Sequence, residues 1–138
     1  MPSINSLYPL FSVADPAAAR DFLTDLFDLE VVFDAPWYVH LSQGGSAGFN
    51  VALIAEGHDS MPPGERDRGR SVLLTVEVAD ATALDSRLRA EGAEIVQPLR
   101  DDPTGQRHVM VRVPGGPVLD VVEWIAAPAD PEAAQAST

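Results

Sequence analysis

Two histidines, an arginine and two carboxylates are the residues of this chain from which paired chemistry could be built. His40 in WYVHL and His108 in RHVMVR sit in alternating stretches, as do Glu77, Arg112 and Asp120. An imidazole, with an unperturbed pKa of about 6.5, suits acid/base work near neutral pH. Neither histidine has a sequence-adjacent acid that makes a recognisable pair, and each competes with the plainer reading of a hydrogen-bonded structural residue. Arg112 offers a planar fork to a carboxylate ligand, or pairs internally with Glu77 or Asp120. The internal pair is the expectation, because alternation puts both acids on its face. Tyr38 and Trp124 supply surfaces on which a flat ligand can stack, while Trp37 should pack towards a helix or an interface. His58 lies in a polar stretch and reads as solvated.

Composition narrows the chemistry. The chain of 138 residues has a net charge of −12, nine arginines and no lysine. Lysine's absence excludes Schiff-base catalysis and a P-loop. An acidic surface repels phosphate backbones, so no nucleic-acid partner is expected, and it favours cationic ligands. Cysteine is absent too, which removes disulfides and thiolate metal sites. No GxSxG, HExxH or Rossmann-like glycine pattern is present. No apolar run approaches the roughly 18 residues that span a bilayer, and Met1-Pro2-Ser3 opens no signal peptide, so a cytoplasmic protein with no membrane partner is expected.

The elements that must carry these residues occur twice. Val72 to Val78 alternates as a strand, Asp80 caps a helix with Ala81, Leu84 and Leu88 on one stripe, Gly92 stops it, and Glu94-Ile95-Val96 begins another strand. The same phrase stands 65 residues earlier: Val13-Ala14-Asp15, a proline at the first helical position, and a stripe of Phe22, Leu23, Leu26 and Phe27. A period of this length is too long for a solenoid and marks two copies of one module. After each helix come two further strands around a hairpin: Trp37–Leu41 and Phe49–Ala55 about Gln43–Ser46, then Gln106–Val113 and Val118–Ile125 about Pro114–Pro117. Each module therefore reads βαβββ. Module 1 covers about residues 5–56, a linker 57–70, module 2 about 71–125, and a flexible tail 126–138. The helix should cover the apolar parity Val72, Leu74, Val76 and Val78. The half-polar parity should face a ligand cleft.

In this order and doubling, SVADPAAARDFLTDLFDLEVVF, TVEVADATALDSRLRAEGAEIV, PLRDDPTGQRHVMV and GPVLDVVEW resemble the vicinal oxygen chelate superfamily of glyoxalases, bleomycin-resistance proteins, fosfomycin-resistance enzymes and extradiol dioxygenases. The resemblance implies an α+β fold of two βαβββ modules in a single domain, each a four-stranded curved sheet covered by a helix, together enclosing a cleft. Half-polar concave sheets bury their edges and clefts best against a twofold mate, so a homodimer is expected, and the resemblance strengthens that expectation. In family enzymes a divalent metal is held by first-strand and last-strand residues of each module. Those positions fall here on Tyr8 and Asn50, then on Leu73 and Asp120. Leu73 has no lone pair, a tyrosine must first lose its proton, and two oxygen ligands do not satisfy a hard cation that takes about six.

Three functions remain open. One is a metal-free, cofactor-free protein binding a small molecule, such as an antibiotic or another aromatic or cationic compound, through Tyr8, Tyr38, His40, Asn50, Glu77, His108, Arg112, Asp120 and Trp124. The second is a metal-dependent glyoxalase or dioxygenase. The third is a metal-free enzyme using Asp120, His40 or His108 as acid or base.

Overall fold

The structure, a computed structural model, describes residues 6, 8–60, 72–103 and 105–125. Its chain forms two compact units, one of residues 1–72 with 113–117 and the other of residues 73–112 with 118–138. The expected tail and residues 61–70 of the expected linker lie outside the described residues.

Unit 1 runs β1 (Leu10–Val13), α1 (Pro16–Leu26), β2 (Glu30–Ala35), β3 (Tyr38–Gln43), a 3-10 turn (Gly45–Ala47) and β4 (Phe49–Ala55). Its sheet order is β1-β4-β3-β2, with β1 parallel to β4 and the other pairs antiparallel. The helix forms where its local signals say it should. Asp15 is extended, and its carboxylate accepts from the N–H groups of Ala17 at 3.1 Å and Ala18 at 3.4 Å, with Pro16 next in line. Ala19, Leu23 and Leu26 then bury against the sheet face carrying Phe11, Val13, Val39, Leu41, Val51 and Leu53. Each such leucine contributes about 1.5–3 kcal/mol of apolar transfer. Residues 113–117 belong to this unit, where Ala14 N–H donates to the Gly115 carbonyl at 2.9 Å.

Unit 2 repeats the plan as β5 (Leu73–Glu77), α2 (Ala81–Ala90), β6 (Ile95–Asp101), β7 (Gln106–Arg112) and β8 (Val118–Trp124), in the sheet order β5-β8-β7-β6. Asp80 caps α2 by accepting from Ala83 N–H at 3.0 Å. Glu123 on β8 accepts from Ala81 N–H at 2.8 Å, so an acid from the sheet helps to close the same helix end. Gly92, with φ of 71°, follows the helix as its left-handed stop. The core lies between α2 and Val109, Val111, Leu119 and Val121.

One expectation needs correcting. Val72 lies outside β5 and is exposed, while Leu74, Val76 and Val78 are only half-buried. Leu74 and Val76 do share the helix-covered face, opposite Leu119 and Val121, but α2 packs mainly over β6, β7 and β8 while β5 stands at the sheet edge. No helix among the described residues is long and apolar enough to cross a membrane.

Candidate functional site

Each unit leaves one sheet face free of its helix, and the registers assign residues to it. In unit 1, His40 pairs with Ala52, Ser42 with Asn50 and Tyr38 with Ile54, all on the open face. In unit 2, His108 pairs with Val122, Met110 with Asp120, and Thr75 with Asp120 from the other side. Tyr38, His40, Asn50, Glu77, His108, Asp120 and Trp124 therefore lie on the faces that alternation gave them. Tyr8 precedes β1, exposed, with its ring 4.7 Å from that of His40.

The two faces carry the same polar pairing. In unit 1, His40 Nε2 lies 2.9 Å from Asn50 Oδ1. In unit 2, His108 Nδ1 lies 3.0 Å from Asp120 Oδ1. In both, the histidine stands two residues before the one opposite the last-strand Asn or Asp, so the bond runs diagonally across two strands. The repeat extends from backbone to side-chain hydrogen bonds.

Beyond that pair the faces differ. Asn50 is clamped by a glycine-rich turn, its Nδ2 donating to the Gly45 carbonyl at 2.7 Å and the Gly48 carbonyl at 3.3 Å. Ser42 Oγ also donates to the Gly45 carbonyl, at 3.2 Å. Tyr38 sits against Phe33 at 5.9 Å and Trp37 at 5.4 Å between ring centres. Burial, and then the neighbouring Tyr8 phenol, push its hydroxyl above the ordinary phenol range.

In unit 2, His108 is 5% exposed and stands between two carboxylates. Asp120 takes Nδ1, and Asp102 Oδ2 lies 2.8 Å from Nε2, at ion-pair distance but off the angle of a hydrogen bond. Arg100 Nε lies 3.6 Å from the other oxygen of Asp102. The acids that His108 lacked in local sequence thus come from a neighbouring strand and from the β6–β7 loop. Asp102 was missed because two register irregularities in β6 break the alternation that would have led to it. Its one sequence signal is its place in DDPTG, between β6 and β7.

Three further expectations change. Arg112 pairs with Glu94 at 2.8 Å, not with Glu77 or Asp120, because Glu94 directly precedes β6 and its carbonyl already accepts from Arg112 N–H at 3.0 Å. Glu77 instead accepts from Trp124 Nε1 at 2.9 Å. Trp37 lies in the β2–β3 turn, stacked on His58 with ring centres 4.4 Å apart, so His58 is not merely solvated.

The four positions that family resemblance assigns to a metal do not suit one. Asn50 Oδ1 is engaged by His40, Asp120 Oδ1 by His108, and Leu73 offers only hydrocarbon. Among the described residues, no group of three or more His, Asp or Glu side chains is placed to hold a metal ion.

Comparison with known proteins agrees with this geometry at the level of fold. The profile of the Glyoxalase/Bleomycin resistance protein/Dioxygenase superfamily matches residues 6–133. No curated protein sequence matches the chain. Among solved structures, TioX from Micromonospora sp. ML1 is 23% identical with a TM-score of 0.67, covering 86% of this chain and 98% of its own. A glyoxalase-related enzyme from Fulvimarina pelagi is 21% identical with a TM-score of 0.69, covering 87% and 88%. A lactoylglutathione lyase from Agrobacterium tumefaciens is 21% identical with a TM-score of 0.66, covering 89% and 96%. At such identities the likeness establishes the architecture alone.

Proposed function

This chain belongs to the Glyoxalase/Bleomycin resistance protein/Dioxygenase superfamily, and on that premise we propose that it is a metal-free protein that binds a small aromatic or cationic molecule. One observation carries the reading. Asn50 and Asp120, two of the polar side chains at the family's metal positions, are engaged with histidines of their own sheet, and Leu73 stands where a donor would be needed. Aromatic surface remains beside them: Tyr8, Tyr38 and Trp124 lie on the open faces, Tyr8 and Trp124 exposed. The charge of −12 suits a basic compound such as a cationic antibiotic, whose sequestration is the form of the function we favour. We further propose that the protein acts as a homodimer in the cytoplasm.

The test joins metal analysis to ligand screening. The purified protein should carry no stoichiometric Fe, Ni, Zn or Mn. A thermal-shift screen of basic and aromatic antibiotics should give at least one ligand that, at 100 times its dissociation constant, adds about 2.7 kcal/mol of stability. Stoichiometric metal would overturn the reading in favour of a glyoxalase- or dioxygenase-like enzyme. A second reading, a metal-free acid/base enzyme, is favoured by one specific feature: the Asp102–His108–Asp120 chain, which holds the Asp120 carboxylate in place through a buried ring.

A further inference from the structure

His40 and His108 occupy matching places in two copies of one unit, but only His40 keeps a ring nitrogen for a ligand. The Asn50 amide decides which nitrogen that is. Its Nδ2 faces two carbonyl oxygens, those of Gly45 at 2.7 Å and Gly48 at 3.3 Å, where an amide oxygen would be repelled. Oδ1 is therefore the atom 2.9 Å from His40 Nε2. Because Oδ1 only accepts, Nε2 carries the hydrogen, and the neutral ring holds its lone pair on Nδ1. Nδ1 has no partner among the described residues, and it is not one of the buried unsatisfied atoms, so it reaches the surface of the open face. His108 has no such freedom, since its nitrogens face Asp120 and Asp102 and the residue is buried.

We propose that His40 Nδ1 is a fixed hydrogen-bond acceptor for an aromatic ligand, basic or neutral, bearing an O–H or N–H donor. The exposed Tyr8 ring beside His40 offers such a ligand its apolar wall. Asn50 is the positioning residue: it sets the tautomer and the ring's orientation and touches no ligand. The inference rests on the small-molecule-binding reading and narrows the ligand class at unit 1. A site that relies on a donor hydrogen rejects an analogue lacking it, because the acceptor is then desolvated without a partner.

Long-range proton–nitrogen correlation spectra of the imidazoles at a pH where the ring is neutral should show His40 as the Nε2–H tautomer. Adding para-methylphenol, which keeps its proton at that pH, should move the His40 Nδ1 resonance. It should bind about tenfold more tightly than para-methylanisole, in which a methyl group replaces the donor hydrogen. Asn50→Leu should mix the tautomers and erase that preference while the amide spectrum stays dispersed, and His40→Phe should erase it too. An Nδ1–H tautomer, equal affinity for phenol and ether, or a preference unchanged in Asn50→Leu would each overturn the inference. The tautomer and the ether comparison need only the unaltered protein, so a variant that fails to fold leaves both decisive. If neither probe binds, this inference fails. A screening hit whose shifts map to Trp124 and Glu77 would then leave the wider binding reading standing.

Discussion

Tyr38 is the residue whose surroundings have the plainest consequence in solution. Burial, and secondarily Tyr8, raise its pKa above that of the unfolded chain, which is about 10. The stability that the neutral phenol contributes is therefore complete below about pH 10 and is lost as pH rises through the folded value, since the unfolded chain gives up its proton first. Melting temperature should fall more steeply above that pH in the native protein than in Tyr38→Phe; superimposable profiles would refute the assignment. Alternation alone was enough to place Tyr38, His40, Glu77, His108, Asp120 and Trp124 on open faces. Their partners were not legible. Asp102 meets His108 across a strand whose register slips, and Arg112 takes Glu94 from a hairpin neighbour that same-face reasoning does not reach.

Whole elements were legible wherever their signals are local. Asp15 with Pro16, Asp80, and Gly92 mark helix ends in sequence and in structure alike, because a cap is a contact between residues two or three apart. For the segment between β3 and β4, composition marks only a turn. Its glycine composition does not disclose that the backbone winds through Gly45–Ala47 and presents two carbonyls to Asn50. Gly48 is required there by space: a Cβ would stand 2.1 Å from the Gln43 carbonyl oxygen and 2.9 Å from Gly44 Cα. Gly48→Ala should therefore shift the turn, weaken the Asn50 clamp and cost about 1–3 kcal/mol, measured from the urea midpoint at unchanged slope. A midpoint equal to that of the native protein would show that the turn moves freely.

At the scale of the molecule, the notable quantity is apolar surface left uncovered. β2 is a sheet edge, yet Val32 is 59% and Phe33 50% exposed, and Leu73 on the edge strand of the other sheet is 55% exposed. Edge strands left this way invite a second copy. Sedimentation at micromolar concentration should give twice 14.7 kDa. With −12 on each chain, association should strengthen as salt screens the repulsion. Phe33→Lys should yield a folded monomer; a native protein that sediments as a monomer would rule out the dimer. The doubled architecture was the most legible property of all, because the repeat is written in residue order. The uncovered edges were not, since alternation fixes a side chain's face without saying what lies over it.

The turn at 113–117 has a further consequence for how the chain is made. Unit 1 has all its strands once Ala55 has been synthesised, but Ala14 must wait for the Gly115 carbonyl, which the ribosome supplies only much later. Until then water answers the amide at the end of β1. A segment of the second half takes over that bond, so a message cut short before the turn would release a first unit whose edge strand ends in solvent.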